Sequence, residues 1–259
     1  MNSDIDRLYV PRSQGGRGLC SVADVSEGEC RSLGLYVEKS SEPLLQVVYA
    51  KNWFSSESTS EFKACTISLH FDNWLQKALH GQFCRETATH VDSKWQWVWL
   101  KSSRLSPELE GYLFAAQEQA ITTNVMNNKI FKLPVSPLCR LCQSADETID
   151  RLISSCSYIA QSQYKKRHDL VASYIHWNLA KLARFCVQEQ WWKHVPEKVL
   201  DSSDWKILWD YTIQTGSSLS HNQPDITFVD KQKAQTEFID VAIPGDSWIS
   251  QKSVEKRDR

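Results

Sequence analysis

The chain has 259 residues, enough for one large domain or two small ones. A formal net charge of −1 excludes nucleic-acid binding driven by bulk positive charge and leaves only local basic patches for that role. Apolar residues make up 41% of the chain, so a sizeable core is expected, and the eleven tryptophans are read first as packing and only second as base-stacking surfaces. The start, MNSDIDRLYV, has no secretory apolar region, and no apolar run approaches a membrane span. A reducing intracellular setting is expected, in which clustered cysteines suggest metal rather than disulfides.

In chain order, PRSQGGRG (11–18) is a turn-rich loop, and Ser21 then caps a helix whose apolar stripe is Leu33, Tyr36 and Val37. A short helix is expected over 43–51, a linker over 55–60 and a further helix over 61–80. WQWVWL (95–100) fits either a strand or an apolar knot. Ser106, Pro107, Glu108 and Glu110 open a helix that is expected to run to Asn127 and Asn128, with Leu109, Leu113, Ala116 and Ala120 on one face. A long helix follows over 158–185, with Val171, Ile175, Asn178 and Leu182 along one stripe and Leu170, Tyr174 and Leu179 beside it. Past Trp192 the period changes to two, predicting strands at 207–213, 225–230 and 236–243, with KQKAQ as the hairpin loop between the last two. The fold class is therefore α+β, with a mostly helical first two thirds followed by a small antiparallel sheet. The expected division is a helical region at 1–135, a Cys-rich knuckle and long helix at 136–190, and a last domain at 191–259.

Two clusters carry chemistry. Cys139 and Cys142 form a C-x2-C pair, and Cys156 follows, a spacing suited to zinc. The place of a fourth ligand holds Arg151, whose guanidinium has no lone pair to give. Glu147, Asp150 and His168 are the other donors to consider, and the bland alternative is three small buried residues. Asp225 and Asp240, separated by fourteen residues across a hairpin, are placed to share a Mg²⁺ ion, with Lys252 and Lys256 just downstream. Solvated carboxylates are the default reading of such a pair.

The order of these segments resembles the carboxy-terminal region of non-LTR retrotransposon polyproteins that encode a restriction-like endonuclease. LYVPRSQGGRGL (8–19), FAAQEQAITTN (114–124), CRLCQSADETIDRLISSC (139–156), YKKRHD (164–169), WDYTIQT (209–215), PDITFVD (224–230) and FIDVAIPGD (238–246) carry the likeness, which covers most of the chain. The resemblance implies an incomplete PD-(D/E)xK fold over 191–259. It matches Cys139, Cys142 and Cys156 to zinc ligands, and Arg167, His168 and Asp169 to a motif that contacts target DNA or supports the nuclease. Asp225 and Asp240 match the magnesium-binding carboxylates, and Lys256, or else Lys252, the active-site lysine. The implied partners are DNA and element RNA, with no membrane and no small-molecule substrate, and the implied setting is nuclear. Arg151 departs from the family's histidine, the segment after Arg259 that completes the endonuclease is absent, and no Tyr-x-Asp-Asp polymerase sequence occurs.

Three readings stay open: a Mg²⁺-dependent endonuclease that nicks DNA for target-primed reverse transcription, a zinc-knuckle module that grips nucleic acid through Lys165, Lys166, Arg167 and His168 without cutting, and a non-functional remnant. The expected site is a metal-binding carboxylate pair with little or no nicking.

Overall fold

The structure, a computed structural model, describes residues 4–51, 58–102, 105–214, 216 and 222–257. The chain divides into two compact units, Met1–Thr123 and Asn124–Arg259, so the knuckle, the long helix and the sheet belong to one unit.

The first unit is helical. Its elements are α1 (Ile5–Tyr9), α2 (Val22–Lys39), α3 (Pro43–Tyr49), α4 (Thr59–Gln76), α5 (Gln82–Thr87), α6 (Ser93–Gln96), α7 (Val98–Ser102) and α8 (Pro107–Gln117). Ser21 accepts the Asp24 amide and Ser106 the Leu109 amide, so both expected caps are present. Of the expected α2 stripe, Val37 is buried while Leu33 and Tyr36 are exposed. Residues 55–57 of the expected linker lie outside the described residues, and helix has begun by Thr59.

The WQWVWL segment is not a strand. It forms α6 and α7, which turn Trp97 and Leu100 into the core beside Val10, Trp74, Cys84 and Phe114. α8 stops at Gln117, ten residues short of Asn127, because Glu118 turns inward and Gln119 adopts the left-handed conformation (φ +56°).

Arg7 explains that inward turn. Its guanidinium is buried, lying 4.6 Å from the Trp74 ring centroid and 4.2 Å from that of Phe114. It donates to the Gly15 carbonyl at 3.0 Å and to Gln117 Oε1 at 2.5 Å, and its Nη1 faces Glu118 Oε1 at 3.4 Å. Glu118 Oε2 in turn accepts the Asp4 amide at 3.0 Å. Burial lowers the Arg7 pKa to about 10, with Glu118 opposing the fall, so the group stays charged at neutral pH. Gly15 has φ +90°, and a Cβ there would meet the Trp97 ring at 2.5 Å.

The second unit holds α9 (Ser157–Ile159), α10 (Lys165–Leu182), α11 (Ile249–Arg257) and an antiparallel meander of β1 (Val199–Asp201), β2 (Trp205–Trp209), β3 (Ile226–Asp230) and β4 (Gln235–Ile239). The switch from helix to an antiparallel sheet is as the periodicity predicts, with one strand more. The strand expected at 207–213 instead spans Trp205–Trp209 and ends where Asp210 takes φ +47°. The strand expected at 236–243 ends at Ile239. In the β3–β4 turn, Asp230 Oδ1 accepts the amides of Gln232 and Lys233 at 3.0 Å each.

Of the apolar residues expected along α10, Ile175 and Leu179 pack against the sheet core, but the fully buried face is a different one. Ala172, His176 and Ala180 are buried, whereas Val171 and Leu182 are exposed. Small residues let the helix lie close to the sheet, where Ile207, Ile226 and Phe228 supply the volume.

Arg7 generates a stability test. Removing one partner of a buried ion pair leaves the other charge uncompensated, at about 3–5 kcal/mol. Arg7→Met should lower urea-unfolding stability by that order, and adding Glu118→Gln should restore part of it. An Arg7→Met protein as stable as the parent would show that the pair contributes nothing.

Candidate metal centres

The knuckle is built on a buried carboxylate. Glu147 accepts the Arg140 amide at 2.7 Å and the Asn124 amide at 2.9 Å, and its Oε1 pairs with the Arg140 guanidinium at 2.6 Å. These donors, the guanidinium foremost, hold its pKa at about 2. The Cys139 amide bonds to the Ala145 carbonyl at 2.8 Å, and Gln143 takes φ +51°, closing the turn that carries the C-x2-C pair. Cys156 comes from the turn before α9, where its amide donates to the Tyr164 hydroxyl at 3.0 Å. That hydroxyl also lies 3.0 Å from the Arg151 and Leu152 carbonyls.

The three sulfurs lie within 4.8 Å of one another, and those of Cys139 and Cys156 are 3.8 Å apart. That separation suits two thiolates bound about 2.3 Å from one ion. Cys139, Cys142 and Cys156 therefore form a group near enough to hold a metal ion, with a donor set compatible with zinc. Among the described residues no histidine or carboxylate joins this group. Glu147 is committed to Arg140, Asp150 bonds Ser154 at 3.3 Å, and His168 lies elsewhere. Arg151 faces the sulfurs instead, with Nη2 3.3 Å from Cys142 Sγ and 2.9 Å from Ser144 Oγ. Ser144 and the Arg151 guanidinium lower the Cys142 pKa to about 5, while burial pushes the Cys156 thiol up.

The second cluster gathers where β3 begins and β4 ends. Asp225 Oδ2 accepts the Val241 amide at 2.6 Å. His168 Nε2 lies 3.3 Å from that same oxygen and 3.2 Å from the Val241 carbonyl, and its Nδ1 lies 3.1 Å from Asp169 Oδ1. Lys256, from α11, pairs with Asp240 and also donates to the Val241 carbonyl at 3.3 Å. Lys252 points to Glu255 at 2.5 Å instead. The Asp225 carboxyl is raised above its ordinary value by burial first, against the Val241 amide and His168, with the neighbouring Asp240 carboxylate adding to the rise. Burial disfavours a charged His168, but Asp169, Asp225 and the Val241 carbonyl outweigh it, so its pKa is also raised.

The four basic residues at the start of α10 therefore divide. Lys165 and Lys166 are exposed. Arg167 lies 5.4 Å from the Tyr164 ring and donates to the Ile243 carbonyl at 3.3 Å, while His168 faces Asp225. Val241, whose main chain contacts Asp225, His168 and Lys256, carries no signal in the sequence, because only its backbone acts. Gly245 brings this loop against the knuckle: a Cβ there would lie 2.2 Å from Asp150 Oδ1 and 2.4 Å from Ser154 Oγ.

No family model, curated protein or solved structure matches this chain. Among the described residues, no helix is long and apolar enough to cross a membrane.

Arg151 supplies a guanidinium where a fourth ligand is needed, so Arg151→His should tighten zinc binding in competition with a chromogenic chelator. Unchanged affinity would remove Arg151 from the metal's surroundings.

Proposed function

We propose that this chain is the nucleic-acid-handling region of a non-LTR retrotransposon polyprotein, in which a restriction-like site built on Asp225, Asp240 and Lys256 nicks DNA with Mg²⁺. The observation that carries the reading is the convergence of two carboxylates and a lysine on the segment Asp240–Val241. Lys256 contacts both Asp240 and the Val241 carbonyl, while Asp225 holds the Val241 amide. Two neighbouring carboxylates, one with a raised pKa, are a hard oxygen donor set of the kind Mg²⁺ prefers.

Asp225 and Asp240 would hold the ion. When bound, Mg²⁺ stabilises charge on the phosphate and makes an attacking water more acidic. Lys256, which pairs with Asp240, would be the cation placed to face a phosphate if an ion took over that carboxylate. His168, oriented by Asp169, keeps its other nitrogen beside Asp225 and secures that carboxylate from the helix side. The knuckle, with zinc as its fitting ion, braces the same loop through Gly245. Lys165 and Lys166 are exposed for phosphate contact, which favours as a second reading a nucleic-acid-binding module that does not cut.

The Asp225 shift fixes the sign of a pH effect. A carboxyl whose folded pKa exceeds the unfolded value contributes stability at low pH that is lost as pH rises through the folded value. Where Asp225 ionises beside Asp240 the two carboxylates repel, and a bound Mg²⁺ would relieve that repulsion. Mg²⁺ should therefore raise the melting temperature at pH 7.5 more than at pH 4. Asp225→Asn should abolish that rise and, in EDTA, melt above the parent. Nicking of supercoiled plasmid, where measured, should require Mg²⁺ and vanish in Asp225→Ala and Lys256→Ala. A chain whose melting ignores Mg²⁺ at every pH would sink the metal-site reading.

The lysines give a separate expectation. Lys165→Ala with Lys166→Ala should weaken binding to unrelated duplexes about equally and reduce the slope of log affinity against log salt by about two. Fluorescence anisotropy at several salt concentrations measures this, and an unchanged slope would assign the pair to a solvated helix face.

A further inference from the structure

The outer face of α10 carries residues that neither metal cluster uses. Lys166, Leu170, Tyr174, Trp177 and Lys181 follow one another at steps of four, four, three and four, which puts them on one stripe about 80° wide. The stripe lies about 120° around the helix from buried Ala172, His176 and Ala180. Beside it lies the Trp191–Lys193 turn. Tyr174 stacks on Trp177 at 6.2 Å with planes 23° apart, and meets Trp191 edge-on at 5.3 Å; Trp191 meets Trp192 edge-on at 6.0 Å. The four rings form a continuous aromatic surface with a lysine at each end of the helical stripe.

This surface is braced rather than loose. Trp177 Nε1 donates to the Gln188 carbonyl at 2.7 Å, and Lys181 Nζ lies 4.3 Å from the Trp177 ring centroid. His194, the residue after the turn, has Nε2 2.8 Å from Nδ1 of buried His176, which pins the turn to the helix. Tyr174 is nevertheless 45% exposed and Trp192 63% exposed. Large rings that neighbours restrain yet leave open to water lose less conformational entropy than free side chains when a flat ligand lands on them. The stripe itself bears no carboxylate, and its cations suit a phosphate backbone.

We propose that this face of α10, with the Trp191–Lys193 turn, is a stacking platform for single-stranded nucleic acid. Bases stack on Tyr174 and Trp192, backed by Trp177 and Trp191, while Lys166 and Lys181 meet phosphates. Such a surface takes single strands because unpaired bases expose their faces, whereas a duplex buries them. It is distinct from the carboxylate site and stands whether or not that site cuts.

The test is fluorescence anisotropy of the full chain with labelled 20-nucleotide oligo-dT, oligo-rU and a 20-base-pair duplex. Trp192→Ala and Tyr174→Ala should each weaken single-strand binding by about tenfold. Duplex binding should change less than about twofold. Trp192→Phe, which keeps a ring, should retain binding. The dT and rU arms decide between a DNA and an RNA strand, and binding of either kind supports the platform. Equal losses on duplex and single strand would reduce the face to a general polyanion surface and overturn the proposal. Unaltered binding in both variants would overturn it too and leave the rings to a protein partner. Should Tyr174→Ala fail to fold, Trp192→Ala suffices, since that ring projects from the turn. The Mg²⁺-dependent melting shift of the parent chain is read on the same sample without nucleic acid, so failure here is separable from failure of the nuclease reading.

Discussion

The second unit depends on one hydrogen bond, from the Val241 amide to Asp225 Oδ2. β4 pairs with β3 up to the Ile226–Ile239 position and then stops. The next amides have no strand to pair with, and an unpaired amide near the core is costly, so a carboxylate at the mouth of β3 captures one of them. The chain thereby leaves the sheet beside Asp225 instead of continuing away from it. That bend sets Asp240 near Asp225, turns the Val241 carbonyl toward His168 and Lys256, and delivers Ile243 to Arg167. A continuous strand to residue 243, the simpler structure, would have dispersed these groups along the sheet edge.

The same economy recurs wherever a charged group is buried. Glu147 organises the knuckle because two backbone amides and a guanidinium converge on it, and Arg7 organises the first unit because two aromatic rings and Glu118 receive it. His176, at the centre of α10, is kept neutral by burial, which lowers its pKa to about 4. Each group is tolerated because fixed partners meet its polar atoms, from within the knuckle for Glu147 and from more than a hundred residues away for Arg7. None is a candidate ligand, although Glu147 and His176 have the chemistry of one.

Knuckle and carboxylate site also share a boundary within their unit. Gly245 has no room for a side chain against Asp150 and Ser154, and Tyr164 joins the Cys156 and Arg151 backbones to the start of α10. The loop that carries Asp240 is therefore close-packed against the knuckle. Arg151 reads differently in this setting. Its guanidinium has no lone pair to offer a metal, but it donates to Cys142 Sγ and to Ser144 Oγ.

What the sequence determined alone is local. Caps at Ser21 and Ser106 depend on one side chain and an amide three residues on, and both are legible. The change of period past Trp192 announced the sheet, because alternation records which face a strand buries. The spacing of Cys139, Cys142 and Cys156 announced a shared point, since a C-x2-C turn brings two sulfurs together by itself. The tertiary structure decided the rest, where the governing partner is remote. Alternating tryptophans at 95–99 became helix because Trp97 and Leu100 had a core to fill from one side. α8 ended at Gln117 because Arg7, more than a hundred residues earlier, drew Glu118 inward. The inner face of α10 was chosen by closeness to the sheet, which favours alanine over the larger Val171 and Leu182. The choice of Lys256 over Lys252, and the separation of Arg167 and His168 from the exposed lysines, followed from where a single amide, that of Val241, found its acceptor.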